Sequence, residues 1–285
     1  MATRTQTAFD EIDRTIAGFS GRVGLWARNL ATGETIDRGG GEVLEGASTI
    51  KILVMLEAFR QVAAGELALD EPLVFEERHR VRGSGVVRDL SLGATLSVRD
   101  AIVLMMIVSD NVATNMVVDR VGLDRVNAAA AGFDAPDTRL MDRLDFDAHP
   151  EAFGVSRTTA RDLCAMLALL AEHRAVRPDL DDAMLAILRR QHYTSGLTRH
   201  LPYRLVDAAG GREPILQTAS KTGSWPGVRN IAGLVEAPGL RYVVGIMTAD
   251  CADRRAHDDN EAALLLPRLS RLVFDIFAPG ELRAG

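Results

Sequence analysis

Lysine is rare in this chain, and its rarity draws attention to two positions. Of the 33 lysine and arginine residues, only Lys51 and Lys221 are lysines. A solvated surface cation can be either residue, but arginine cannot be deprotonated in a protein, whereas a buried lysine can take and return a proton. A compositional drift toward arginine explains the count equally well. The neighbours of the two lysines therefore decide whether they do chemistry.

Lys51 stands three residues after Ser48, ahead of an apolar stretch, residues 52–59, that predicts a buried helix. Residues at this spacing share one face of a helix. A serine hydroxyl is a weak nucleophile, and a lysine amine of lowered pKa can be the base that it needs. The N–H groups of a helix N-terminus also favour a developing oxyanion. The structural alternative is that Ser48 caps the helix and Lys51 is an ordinary polar residue.

Lys221 begins the tripeptide Lys221-Thr222-Gly223, which follows a polar loop and precedes two predicted antiparallel strands, residues 230–235 and 241–248. A glycine at a strand edge lets another backbone or a ligand approach closely. We therefore expect Lys221 to offer a positive charge to a substrate carboxylate. The alternative is a lysine on an exposed edge strand, where it discourages aggregation.

The tripeptide Ser109-Asp110-Asn111 lies between a predicted apolar helix, residues 101–108, and a second helix that begins at Val112. The stretch Ser97-Val98-Arg99-Asp100 has the spacing of a capping box for the first of these helices. Serine, aspartate and asparagine are also the usual residues of a helix–helix junction, which is the structural alternative for this tripeptide.

The three motifs carry more information together than any of them alone. S-x-x-K, S-D-N and K-T-G occur once each, in this order. In this the chain resembles the class A β-lactamases and penicillin-binding proteins, a superfamily of active-site serine hydrolases, over residues 8–278. Further stretches that resemble the family are Gly83-Ser84-Gly85-Val86, residues 108–115, Thr158-Thr159 and Arg229-Asn230-Ile231-Ala232.

The resemblance implies hydrolysis of the β-lactam amide through an acyl-enzyme. By the family pattern, Ser48 is the acylated nucleophile and Lys51 is its proton-shuttling partner. Ser109 relays a proton to the leaving nitrogen, and Asn111 hydrogen-bonds the side-chain amide of the substrate.

The resemblance also assigns the groups that bind the substrate carboxylate and the oxyanion. Lys221 and Thr222 hold the carboxylate. Arg229 resembles the arginine that reinforces carboxylate binding in part of the family, although this match requires a loop shorter by one residue. The backbone N–H groups of Ser48 and Ser224 form the oxyanion hole.

One position departs from the pattern. Where class A enzymes carry Asp-Arg-x-Glu, this chain has Asp142-Arg143-Leu144-Asp145, so the expected deacylating glutamate is the shorter Asp145. A general base must reach its water at about 2.6–3.2 Å, and one missing methylene is enough to misplace it. We therefore expect deacylation to be slow. His149 and Asp147 are possible substitute bases. The alternative for each is a residue that packs within the loop or faces solvent.

Two other functions remain open. The first is an esterase, amidase or peptidase inside the cell that acts on a different substrate, such as a biosynthetic intermediate. The second is a β-lactam-binding acyl trap or sensor that stays acylated. The intact Asn111 and Lys221-Thr222-Gly223 favour a β-lactam substrate, whereas the altered Asp145 and the lack of an export signal favour the first alternative.

Composition narrows the class of protein. The 285 residues are 47% hydrophobic and 25% charged, as in ordinary globular proteins, and the net charge of −6 gives no basic surface for nucleic acid. No apolar stretch approaches the roughly 20 residues of a membrane span. No signal-peptide pattern follows Met1, so we expect a cytoplasmic protein, or a secreted or periplasmic one if a leader was removed. We expect a monomer that acts on a small molecule.

No cofactor or metal is expected. The six histidines, which include His192 and His200, lack the spacing of zinc ligands. Cys164 lies in an apolar helical stretch, which favours a buried, inert thiol over a catalytic one.

The predicted fold class is α/β, or more closely α+β: an antiparallel sheet flanked by N- and C-terminal helices, together with an all-helical lobe. We predict a single domain in which residues 1–47 and 212–285 form the sheet-containing lobe and residues 48–211 form a mainly helical lobe. The predicted elements are an N-terminal helix at 8–17, strands at 23–30, 34–37, 230–236 and 241–248, and a last helix at 259–277. The active site should lie where the lobes meet.

Overall fold

The computed structural model describes residues 4–146, 155–207 and 214–283. The predicted substitute bases Asp147 and His149 lie outside these residues. The strands are β1 (Arg22–Asn29), β2 (Thr35–Arg38), β3 (Leu44–Glu45), β4 (Pro72–Val74), β5 (Thr95–Ser97), β6 (Arg139–Leu140), β7 (Ser156–Thr158), β8 (Gln217–Trp225), β9 (Val228–Ala237) and β10 (Leu240–Ala249).

Eleven helices are described around these strands. They are α1 (Arg4–Ala17), α2 (Lys51–Ala63), α3 (Val98–Ile107), α4 (Asn111–Val121), α5 (Leu123–Ala129), α6 (Ala160–Ala171), α7 (Pro178–Arg189), α8 (Ser195–Thr198), α9 (Tyr203–Val206), α10 (Glu261–Phe277) and α11 (Gly280–Arg283).

The main sheet has five antiparallel strands in the order β2-β1-β10-β9-β8. Strands β9 and β10 form a hairpin whose turn includes Gly239 at a φ of 74°, which glycine adopts without strain. The predicted antiparallel sheet with flanking helices is confirmed. The structure corrects the polar loop predicted before Lys221, because Gln217–Trp225 is a full strand, β8, at the sheet edge.

Alternate residues of β10 enter two different hydrophobic cores. Val243 and Met247 pack into the core that contains α2, α3, α4, α6 and α7. Tyr242, Val244 and Ile246 pack into the core that contains α1 and α10. Because successive strand residues point to opposite faces, this alternation places one helical layer on each side of the sheet.

Several predicted helix boundaries shift by a few residues. The first helix begins at Arg4 and the last at Glu261. Ser97 caps α3 as predicted, and its hydroxyl accepts a hydrogen bond from the Asp100 N–H at 3.0 Å. The second helix of this pair begins at Asn111 and not at Val112.

A small three-stranded sheet, in the order β3-β7-β6, sits next to the start of α2. Its strand β3 ends at Glu45, three residues before Ser48. This sheet therefore positions the segment that leads to the candidate nucleophile. Among the described helices, none is long and apolar enough to cross a membrane.

Candidate active site

Ser48 lies in a 3₁₀ turn, Ala47–Ile50, that runs directly into α2. The residue at the cap of this turn is Gly46, and no side chain caps either the turn or α2. The interpretation of Ser48 as a helix cap is therefore wrong. Ala47 has a φ of 45°, a left-handed conformation that is strained for a residue with a side chain. The turn holds Ser48 half-buried at the wall of a cavity.

Strand β8 passes very close to this turn at Gly223. A Cβ atom at this position would lie 2.8 Å from the Gly46 carbonyl oxygen and 3.2 Å from the Ser48 nitrogen. Only glycine permits this approach without displacing the backbone. The approach brings Ser224, the next residue of β8, to the same cavity as Ser48. This is the arrangement that two oxyanion-binding N–H groups require.

Lys51 is fully buried at the first position of α2. Its Nζ donates to the Ser109 carbonyl oxygen at 2.8 Å, to the Ser109 Oγ at 3.2 Å and to the Asn111 Oδ1 at 2.8 Å. Burial lowers the pKa of Lys51 well below its ordinary value, the charge of Lys221 lowers it further, and Asp110 opposes the shift. Burial thus favours loss of the proton that a base must lack, while the three hydrogen bonds donated by Nζ are those of the ammonium form.

Lys221 lies on the edge strand β8, but its side chain is fully buried. The interpretation as an exposed edge lysine is therefore wrong. Its Nζ donates to the Ser109 Oγ at 3.0 Å and to the Thr222 carbonyl oxygen at 2.8 Å. Burial lowers the pKa of Lys221 to about 7. The structure thus brings the S-x-x-K, S-D-N and K-T-G motifs together around one hydroxyl.

The Ser109-Asp110-Asn111 segment is a strained junction between α3 and α4. Ser109 has a φ of 58°. Asp110 caps α4, and its other carboxylate oxygen accepts the N–H groups of Val86 and Val87 at 2.6 and 2.9 Å. The junction residues therefore do more than end one helix and begin another, because they fix the neighbouring loop and place Ser109 between the two lysines.

Asn111 is held between α2 and the loop before Gly83. Its Oδ1 accepts from Lys51, and its Nδ2 donates to the Arg82 carbonyl oxygen at 3.1 Å. A Cβ on Gly83 would come within 2.6 Å of this amide nitrogen. Gly83 therefore gives the amide room at the rim of the cavity.

The cavity in front of Ser48 has a volume of about 340 Å³ and is lined by Ser109, Thr222, Ser224 and Arg229, among others. This is at the small end of the range for small-molecule sites. A neighbouring cavity of about 490 Å³ also reaches Ser48. The residues that line the second cavity include Arg82, Asn111, Phe146, Trp225, Arg229 and Arg254.

Arg229 pairs with Ser224 across β8 and β9 and lines both cavities. Its guanidinium donates to the carbonyl oxygens of Trp225, Val228 and Arg255. Backbone bonds thus hold the guanidinium at the site, where it adds positive charge. Its role toward a carboxylate stays a prediction.

Asp145 is exposed, while its neighbours Leu144 and Phe146 face Ser48 in a third, small cavity. Phe146 stacks on Trp225 with ring centroids 4.8 Å apart. The residues that line the three cavities at Ser48 include Phe146 but not Asp145. Deacylation by Asp145 stays a prediction.

Two buried polar residues near Ser48 were not assigned a role from the sequence. Asn230, on β9, donates through Nδ2 to the Glu45 carbonyl oxygen at 2.8 Å and accepts from the Thr248 N–H through Oδ1. Glu45 is 2% exposed and lies on the wall of the small cavity. The sequence feature that could have indicated Glu45 is its position as an acidic residue directly after the apolar Leu44.

Within the described residues, no cluster of histidine, cysteine, aspartate or glutamate side chains could hold a metal ion. Cys164 is buried, and burial raises the pKa of its thiol well above the ordinary value. This agrees with the predicted inert thiol.

Comparison with known proteins matches residues 7–277 to the model of the β-lactamase enzyme family. A β-lactamase from Sphaerobacter thermophilus is 30% identical, with a TM-score of 0.81 over 95% of each chain. An acyl-enzyme complex of a PBP-A mutant with penicillin G is 26% identical, covers 94% of this chain and 95% of that one, and has a TM-score of 0.81.

A β-lactamase from Xanthomonas campestris, 21% identical, shares the fold with a TM-score of 0.83 over 97% of this chain and 99% of that one. The comparison with curated proteins found no significant match.

Proposed function

The chain belongs to the β-lactamase enzyme family, and we propose that it hydrolyses the amide bond of β-lactams through an acyl-enzyme on Ser48. The observation that carries the proposal is the environment of Lys51. It is a fully buried lysine of lowered pKa, three residues from a half-buried serine in the wall of a cavity. Such an amine is the partner that a serine nucleophile requires.

In the proposed acylation, the Ser48 Oγ attacks the lactam carbonyl carbon and its proton passes to the neutral Lys51 amine. The negative charge that develops on the carbonyl oxygen faces the N–H groups of Ser48 and Ser224. The C–N bond then breaks, and the nitrogen takes a proton through the Ser109 hydroxyl. Hydrogen bonds from both lysines to that hydroxyl support this relay.

The substrate carboxylate is proposed to bind at Lys221, Thr222 and Arg229. With a pKa of about 7, Lys221 is poised between its neutral and charged forms. An approaching carboxylate favours the ammonium form, because an opposite charge raises the pKa of a lysine. Binding and protonation of Lys221 are therefore coupled.

A second candidate function is a β-lactam-binding acyl trap. The observation in its favour is the exposed Asp145, because class A enzymes use a glutamate at this position to activate water. A relative, the PBP-A mutant, was captured as an acyl-enzyme with penicillin G. The two functions share acylation at Ser48 and differ only in the lifetime of the acyl-enzyme.

Intact-mass spectrometry during incubation with benzylpenicillin tests both functions. A β-lactamase converts the drug to its ring-opened acid and ends without an adduct. An acyl trap keeps a one-to-one adduct, and an esterase or amidase for other substrates shows neither product nor adduct. The last result would contradict both β-lactam functions.

A further inference from the structure

Glu45 is an ionisable group beside the nucleophile for which the proposed mechanism has no use. It lies at the end of β3, and its side chain is buried against β7. Its Oε1 accepts from the Ala47 N–H and from the Ser156 hydroxyl, each at 2.9 Å. Its Oε2 is buried and has no hydrogen-bond partner among the described residues.

The unpartnered oxygen belongs to a residue that lines the same small cavity as Ser48. The other residues of this Glu45 cavity include Leu144, Phe146, Ser224 and Trp225. The volume of the cavity is about 30 Å³. Since one water needs roughly 10–15 Å³ measured in this way, it has room for a water molecule. Glu45, Ser48 and Ser224 provide polar partners for that water.

Burial raises the pKa of Glu45 to about 7, and the hydrogen bonds from Ala47 and Ser156 oppose the shift. The residue opposite Glu45 on β7 is Arg157, whose side chain is exposed. From β9, the Asn230 amide donates to the backbone carbonyl oxygens of Glu45 and Gly46 and not to the Glu45 carboxyl. The described surroundings thus leave the carboxyl near the pKa of an effective general base at neutral pH.

We propose that Glu45 is the general base that activates a water in this cavity to hydrolyse acyl-Ser48. The inference rests on the proposed acyl-enzyme and adds a second carboxylate to its deacylation. A general base at Glu45 allows turnover although Asp145 is short and exposed. Glu45 stands three residues before Ser48, so it reaches the acyl group from the same chain segment as the nucleophile.

The step balances without any added reactant. The water oxygen bonds to the ester carbonyl carbon while one water proton passes to the Glu45 carboxylate. The tetrahedral intermediate collapses with cleavage of the bond between the carbonyl carbon and the Ser48 Oγ. The departing Oγ takes the proton that Glu45 received from the water, the product leaves as a carboxylic acid, and Glu45 is again a carboxylate.

The test is the deacylation rate of the benzylpenicillin acyl-enzyme in Glu45→Gln, followed by intact mass after rapid mixing. Glutamine keeps an oxygen for Ala47 and Ser156 but cannot accept a proton. We expect deacylation to slow by about 10²- to 10⁴-fold, with acylation changed by less than about fivefold. Glu57→Gln is the matched control, since Glu57 is also fully buried but bonds to Arg60 and Gln61. It should deacylate like the wild type.

The pH profile separates a base from a residue that only holds the turn. Deacylation by the wild type should rise through a pH of about 7 and then level off, and this limb should vanish in Glu45→Gln. Comparison of the two proteins removes the contribution of Lys221, which titrates in the same range. Unchanged deacylation, or equal losses in acylation and deacylation, would overturn the role of Glu45.

Two further measurements use only the wild-type protein and do not depend on the folding of Glu45→Gln. A wild-type deacylation rate that is flat from pH 5 to 9 would overturn the proposal even if Glu45→Gln fails to fold. Absence of both an acyl-enzyme and the ring-opened acid with the wild type would contradict the proposed function itself, and the role of Glu45 would fall with it.

Discussion

Lys51 and Lys221 donate hydrogen bonds to the same acceptor, the Ser109 hydroxyl, with Nζ–Oγ distances of 3.2 and 3.0 Å. Both side chains are fully buried, so two positive charges here would repel each other in a poorly solvated space. Burial lowers the pKa of both amines, and the charge of Lys221 further lowers that of Lys51. The pair therefore favours loss of a proton from Lys51 beside a Lys221 that can become charged.

Substitution of Lys51 by arginine should replace the base with a cation that cannot lose its proton. Because arginine cannot be deprotonated, we expect Lys51→Arg to slow acylation by about 10²- to 10⁴-fold. Stopped-flow spectroscopy with a chromogenic β-lactam measures the step. Lys221→Arg is the comparison: arginine keeps the charge that the proposed role of Lys221 requires, so kcat should fall much less than in Lys51→Arg. Equal losses of kcat in the two variants would contradict this division of roles.

Gly223→Ala should separate β8 from the nucleophile turn. The added methyl would meet the Gly46 carbonyl oxygen at 2.8 Å, a contact that the backbone must relieve by moving. We expect acylation to fall at least about tenfold and the free energy of unfolding to fall by about 1–3 kcal/mol, as for other overpacked sites. Gly132→Ala is the control, because nothing lies within 4 Å of a Cβ there. Normal acylation by Gly223→Ala would show that the close approach is not needed.

Asp145→Glu should speed deacylation. The added methylene extends the carboxylate toward the position that class A enzymes use, and general-base help is worth about 10²–10⁴ in rate. The wild type should therefore show a burst with a chromogenic β-lactam followed by slow turnover, and the variant should lose the burst. Asp142→Glu, an exposed substitution in the same segment, should keep the burst. Fast turnover without a burst in the wild type would contradict the prediction.

Glu45→Gln should change how stability depends on pH. The folded state raises the pKa of Glu45 from 4.5 to about 7, so it binds the proton more tightly than the unfolded chain does. This contribution to stability is complete below pH 4.5 and is lost as the pH rises through 7. At about 1.4 kcal/mol per pKa unit, the loss is on the order of 3 kcal/mol. Glutamine cannot ionise, so the variant should gain stability relative to the wild type between pH 5 and 9. If Tm changed with pH in the same way in the wild type and in Glu45→Gln, this prediction would be contradicted.

The motifs and the main elements were predictable from the sequence because they depend on local patterns. Apolar runs on either side of the turn Pro238-Gly239 identified β9 and β10, and the capping spacing identified the start of α3 at Ser97. The family resemblance predicted the overall fold. Strand β8 was missed because its polar residues give no alternation, and its pairing with β9 compensates for its weak local preference.

Burial and strain at the site were not predictable, because distant segments create them. The sequence does not indicate that Lys221, on an edge strand, is fully covered. The left-handed conformations of Ala47 and Ser109 arise from packing around each residue and not from its type. Glu45 is a candidate because of the small cavity and its unpartnered oxygen, and the sequence shows neither of these.

The most direct test of the central claim is to locate the acyl group. The protein is mixed with benzylpenicillin, quenched in acid within milliseconds to seconds, digested and sequenced by tandem mass spectrometry, with Ser48→Ala in parallel. We predict a penicilloyl group on Ser48 in the wild type and none in Ser48→Ala. A group on another residue, or an adduct that persists in Ser48→Ala, would contradict the proposed nucleophile.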